Sequence, residues 1–375
     1  MADRNSQRAG DNSNQTFIGT QVIGITESRA TEIAREQAEI AVREKFVTEA
    51  QVTASRRIAQ ADRKIIAKLT ALELLDIFGE PSFLSAFQKA QISAAQSERE
   101  DDYEILADLL VQRAVSGSSS SKAAIIRAIE IVDLVDERAL HGLTALWFVG
   151  TTTPASVKPI DALNTVEAMY SSILPDDLPR GTWWVDHLEA LNLVRKDRTM
   201  RFTKYVELLL RDRPGWVCEG LEEAEMLQRL KGLGSLIGVE VSSSLFIPHE
   251  FCEGRYRYVF KSRQHAIAYI RKNLEDGNGD LNKVDWLGVE QHFEFLENTD
   301  NVCVEKLHEK ILEDYPAVAR IMHWWNDLEE YAGATHIGIA LAYTNGRKHS
   351  DLNGLMSLED TLNGVVQVDE DARAS

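Results

Sequence analysis

The chain has 375 residues, enough for two or three domains and a substantial core, and a formal net charge of −18 at pH 7. That acidity opposes general polyanion binding, because phosphate contacts need a basic surface. Three widely spaced cysteines, Cys218, Cys252 and Cys303, form no CxxC pair, which excludes a zinc ribbon or disulfide framework on spacing and points to a reducing compartment.

Residues 1–15 are polar and are expected to be flexible. Thr16–Ile25 is rich in β-branched residues and reads as a short strand carrying Phe17, Ile18, Val22 and Ile23. A lone strand is unstable in water, so it needs a partner from its own chain or from a neighbouring subunit. Thr26–Phe78 then contains neither Gly nor Pro and is dominated by residues that lose little rotamer freedom in a helix. Uninterrupted, it would span roughly 80 Å at about 1.5 Å per residue.

Along that stretch Ile33, Ile40, Val47, Ala54 and Ala61 recur every seven residues, interleaved with Gln37, Glu44, Gln51, Ile58 and Ile65. The spacing is that of a coiled-coil seam, weakened by the polar residues of the second set, which can still specify register. The expectation is a homo-oligomer assembled through Phe17, Ile18, Val22, Ile23, Ile33, Ile40, Val47, Ile58 and Ile65. The alternative is two shorter helices folded onto the body, broken near Thr53–Ser55.

Gly79, Glu80 and Pro81 stop the helix. Further amphipathic helices follow around Phe83–Ala94 and Ile105–Leu110, and Gly117–Ser121 reads as a loop with a capping serine. Phosphate binding at that run is disfavoured, because Lys122 lacks a Walker pattern. Thr151–Pro154 and Pro159 mark a boundary, beyond which aromatic and strand-like pieces increase. Trp183–Val194, followed by the basic stretch Arg195–Arg213, resembles the second half of a winged helix. Arg195, Lys196, Arg198, Arg201 and Lys204 are its candidate nucleic-acid contacts. Leu221–Leu233 reads as a helix, and Val239–Pro248 and Arg255–Lys261 alternate as a hairpin would. The acidic run at 276–280 reads as a turn, since the positions where a calcium loop needs Gly and Glu hold Leu281 and Leu287.

No catalytic constellation accumulates. Asp186 and His187 are helix neighbours that cannot face each other, and His249 and Glu250 lack the second histidine of a zinc helix. Glu290, His292 and Glu294 share a face only in a strand. The chain therefore reads as more like a binding protein than an enzyme, with no cofactor and no metal. One tryptophan of each adjacent pair, Trp184 and Trp325, is the candidate for a partner interface, with burial of both pairs as the alternative. No signal-peptide pattern opens the chain, and its longest apolar run, Leu143–Gly150, is too short to span a bilayer, so no membrane is expected and the location is read as cytoplasmic.

The segment from Ile321 through Trp324 and Trp325 to Leu328, followed by Thr335, Gly338, Ala340, Ala342 and Asn345, resembles the C-terminal signature of the uncharacterised bacterial LPO/Vpar-type proteins. That resemblance carries no activity and transfers no functional residue. It implies a place among mobile or defence-type bacterial genes, hence an expectation of anti-phage defence and of a partner from the same operon. The fold expected is mainly α: a strand leader over 1–25, a long coiled-coil-like oligomerisation helix over 26–79, a helical domain over 80–153, a C-terminal α+β winged-helix-like body over 154–364, and a disordered acidic tail over 365–375. The function expected is a self-assembling regulatory scaffold. The alternatives are a winged-helix nucleic-acid-binding regulator and a defence effector with a concealed hydrolase or nuclease site.

Overall fold

A computed structural model describes residues 27–151, 156–277, 279–347 and 357–363. The expected leader strand with Phe17, Ile18, Val22 and Ile23, and the tail from 365, lie outside the described residues. Helix α1 spans Glu27–Ala71 without a break at Thr53–Ser55. Pairs one turn apart, Arg29–Glu32, Arg35–Glu39 and Lys45–Glu49, support its exposed surface. The helix ends seven residues before Phe78, where it was expected to run. Glu73 takes a left-handed φ of 56°, and the Leu74 N–H donates to Leu69 O at 2.8 Å, closing a Schellman turn without glycine. The gain is packing: Leu74, Ile77 and Phe78 turn into the core, where Phe78 meets Phe83 and Phe87 edge to face.

The chain divides after Ser55 into two units. In the second, α2 (Pro81–Gln96), α3 (Glu100–Val115), α4 (Ser119–Ile131), α5 (Glu137–Thr151) and α6 (Pro159–Ile173) follow in sequence. Ser118 caps α4 as expected, accepting from Ser121 N–H. The Gly117 and Ser118 N–H groups grip the Glu359 carboxylate at 2.7–3.1 Å, so the chain's own acid fills the cradle read as a conceivable phosphate site. Next come α7 (Trp183–Ala190), β1 (Val194–Asp197), α8 (Tyr205–Leu210) and α9 (Glu223–Ile237). The expected hairpin forms, β2 (Phe246–Pro248) pairing antiparallel with β3 (Tyr256–Tyr258). Then follow α10 (Arg263–Asp276), α11 (Trp286–His292), α12 (Asn301–Asp314), α13 (Pro316–Asn326), β4 (Tyr331–Ala334), α14 (His336–Arg347) and α15 (Leu358–Leu362).

The architecture is mainly helical, as the composition indicated. The strand after α7 makes no local wing. It pairs antiparallel with β4, Val194 opposite Ala334, so its partner comes from far along the chain. Among the described residues two hydrophobic cores result. The larger runs from Ala61 in α1 to Leu362 in α15 and includes α5, α6, α13 and α14, so the boundary expected at 153/154 does not divide it. The smaller joins α9, β2, β3, α10 and α11, from Cys218 to Leu296. Its two ends meet where Cys218 bridges Thr299 and the Asp300 N–H donates to Val217 O at 2.8 Å.

Candidate functional site

Three surfaces follow from the residues singled out in the sequence. On α1, Ala61, Ile65 and Leu69 are fully buried. The same seven-residue repeat, followed backwards, reaches Val47 and Ile40, which are 50 % and 53 % exposed, and Phe46 beside them is 62 % exposed. Ile33, Ala54 and Ile58 lie half-buried. The seven-residue repeat is thus buried at Ala61 and Ile65 and exposed at Ile40 and Val47, where Gln37, Glu44 and Gln51 interleave with it.

The basic stretch is divided. Arg195, Arg198, Arg201 and Lys204 are exposed, whereas the Lys196 side chain is buried between Asp186 and Glu330, with Nζ 2.6 Å from Glu330 Oε2. Those two carboxylates raise its pKa. Lys204 Nζ donates to Asn326 O at 3.1 Å. Two of the five candidate contacts are therefore already engaged by the fold.

The tryptophan assignment is corrected. Trp184 and Trp325 are both buried, and it is Trp183 that is exposed, at 45 %. Trp184 lies against Trp324 with ring centres 5.9 Å apart. The indole N–H groups of Trp324 and Trp325 donate to Pro179 O and Thr203 O, each at 2.8 Å. A buried indole needs an acceptor, and here loop carbonyls supply it. Trp324 and Trp325 anchor the loops on either side of α7 and β1.

A constellation invisible in the sequence lies where the β2–β3 loop meets α12. Cys252 and Cys303, 51 positions apart with Cα atoms 6.7 Å apart, are joined by a disulfide. This corrects the reading that cysteine spacing excluded one, since folding and not spacing brings the sulfurs together. His249 stands beside them with Nε2 4.0 Å from Cys303 Sγ. His249, Cys252 and Cys303 offer ligand atoms within 4.8 Å of one another, the geometry of a partial metal site. The ring, however, is committed at both nitrogens: Nδ1 accepts from Phe251 N–H at 3.1 Å, and Nε2 lies 2.9 Å from Cys218 O. Those partners fix the Nε2–H tautomer, leaving no lone pair directed at the sulfurs. The arrangement staples the β2–β3 loop to α12, with both cysteines against the larger core. Cys218 is a separate buried thiol, its pKa pushed up to about 11 by burial.

Above the staple, the buried Arg257 guanidinium grips Glu250 at two points, Nε–Oε2 at 2.7 Å and Nη2–Oε1 at 2.8 Å. It also donates to Tyr258 O and Val157 O, at 2.9 and 3.3 Å. No sequence signal marked Arg257 beyond its place between Tyr256 and Tyr258, where strand alternation turns it to the opposite face.

The segment that carries the family resemblance performs packing. Thr335 ends β4 and begins α14: its N–H donates to Leu193 O at 2.9 Å, its hydroxyl to Asn192 O at 2.7 Å, and Gly338 N–H donates back to Thr335 Oγ1 at 3.2 Å. Gly338 lies so close to Leu193 that a Cβ would fall 2.0 Å from the Leu193 carbonyl oxygen. Ala340 and Ala342 are fully buried, and Asn345 Nδ2 donates to Thr144 Oγ1 at 3.0 Å. A family model, that of uncharacterised Vpar-type proteins, matches residues 24–358. The chain belongs to the Vpar-type family. Neither a curated protein nor a solved structure gives a significant match. The family match spans α1 and most of both cores.

Within the smaller core of this Vpar-type chain, the Tyr258 hydroxyl lies 2.7 Å from His292 Nε2. Burial first, and the nearby Arg229 charge second, lower the His292 pKa to about 4. Burial likewise lowers that of His249. The unfolded chain, with ordinary histidines near 6.5, then binds a proton that the folded chain refuses between about pH 6.5 and 4. Stability should be constant above pH 6.5 and decline as pH falls through that window. Thermal midpoints measured across pH 4–8 check this, and His292→Phe should flatten the decline; an equal slope in the variant would refute the assignment.

Proposed function

We propose that this chain is a self-assembling, non-enzymatic scaffold whose subunits join through the first half of α1 and whose body presents a partner-binding surface. The observation that carries the reading is the half-covered seam: Ala61 and Ile65 are buried while Ile40 and Val47 stand open, with Phe46 exposed beside them. Fully burying one such aliphatic or aromatic side chain contributes about 1.5–3 kcal/mol. An exposed apolar stripe of this kind marks an association surface. Assembly on this helix has the spacing of a coiled coil, with Gln37, Glu44 and Gln51 restricting which register forms.

The test uses the full chain, because cutting at residue 78 would strip Ala61, Ile65 and Leu69 from the core. Sedimentation or light scattering of the unaltered protein should give a mass above that of one 42.1 kDa chain. The pair Ile40→Asp and Val47→Asp should return it to a single chain with an unchanged thermal midpoint. A monomer at all concentrations before mutation, or an oligomer unaffected by the two aspartates, would overturn the proposal.

A further inference from the structure

We infer that the partner of the open seam is a second copy of the same helix running antiparallel, in the register that sets Ile40 against Gln37 of its copy; this rests on the assembly reading above. In a parallel, aligned pair each seam residue meets itself, so Glu44 would face Glu44 of its copy with both carboxylates losing water. Like charges directly opposed in a desolvated seam are strongly unfavourable. Reversing one helix removes that contact. Glu44 then faces Ile33, where its stem packs and its carboxylate reaches the edge of the seam.

The flanking charges select one register among the antiparallel ones. With Ile40 opposite Gln37, the seam layers are Ile33 with Glu44, Gln37 with Ile40, and Ala30 with Val47, each occurring twice by symmetry. On one flank Glu36 comes opposite Arg43 of the copy, again twice. On the other flank Ala34 meets Ala41, small enough for close approach of the helices. Glu36 and Arg43 are both exposed, while their neighbours Arg35 and Lys45 are paired within the helix to Glu39 and Glu49. A slip of one heptad in either direction brings Arg43 against Arg43 or Glu36 against Glu36. The chosen register is thus the one whose flanks attract, and its neighbours are those whose flanks repel.

A charge-exchange cycle on the full chain tests the inference. Glu36→Arg alone and Arg43→Glu alone should each weaken association about tenfold at low salt, as two attractive pairs become repulsive. The double variant should restore it. A spin label on Ser28→Cys, at an outward position, should report a label-to-label separation of roughly 30 Å, because 21 residues of helix intervene between residue 28 and residue 28 of the copy. A parallel pair would hold the labels side by side, under about 20 Å apart. If the unaltered chain is a monomer, the assembly reading itself fails. If it associates through Ile40 and Val47 but the charge cycle is silent or the labels are close, assembly stands and the antiparallel register is overturned.

Discussion

Replacing Gly338 by valine should cost at least about 3 kcal/mol, beyond the 1–3 kcal/mol usual for overpacking, because nothing at this contact can move cheaply. The Cβ would fall 2.0 Å from the carbonyl oxygen of Leu193 and 3.0 Å from its carbonyl carbon. That carbonyl cannot swing away, since it already accepts from the Thr335 N–H and sits beside the Val194–Ala334 pair of the β1–β4 ladder. Helix α14 cannot retreat either. Its buried face meets α3, α4 and α5, where Gly346 leaves room for the Phe148 ring and Asn345 holds Thr144. Chemical denaturation of Gly338→Val measures the loss, and Gly338→Ala should already lose stability. Gly333→Ala is the control, because a Cβ there meets nothing within 4 Å. Equal denaturation midpoints for Gly338→Val and Gly333→Ala would mean that the α14 seat is looser than the geometry describes.

How much of this was legible beforehand divides along locality. The capping serine at 118 and the alternation that became β2 and β3 are local patterns, and both were readable. The run without Gly or Pro announced α1, but its end did not. Glu73 adopts its left-handed turn because Leu74, Ile77 and Phe78 are drawn into the core, and composition does not register that pull. The pairing of β1 with β4 and the bridge between Cys252 and Cys303 join segments that only the complete fold brings together. The tryptophans show the same limit. Adjacent residues on a helix point about 100° apart, so the sequence indicated that a pair could split between core and solvent. Which member faces out was decided by neighbours: Trp184 found Trp324, and Trp183 was left exposed. The seam of α1 was legible as a period, while its division into a covered and an open half required the structure.

Removing the Arg257 side chain should destabilise the fold by about 3–5 kcal/mol, the usual result of breaking a buried ion pair from one side. Arg257→Met keeps much of the volume and deletes the charge. It leaves the Glu250 carboxylate without its two-point partner and the carbonyls of Tyr258 and Val157 without a donor. Glu250→Leu should be costly for the opposite reason, stranding a guanidinium that has 0 % exposure. The double variant Arg257→Met with Glu250→Leu should lose less than the sum, because no uncompensated charge then remains buried. The two residues also fix the course of the β2–β3 loop, since Glu250 lies two residues before Cys252, so pulling the pair apart loosens the loop that carries the disulfide to α12. Urea denaturation of the four proteins gives the coupling directly. Single substitutions costing under about 1 kcal/mol, or a double variant equal to the sum of the two, would show that this ion pair behaves like an exposed one.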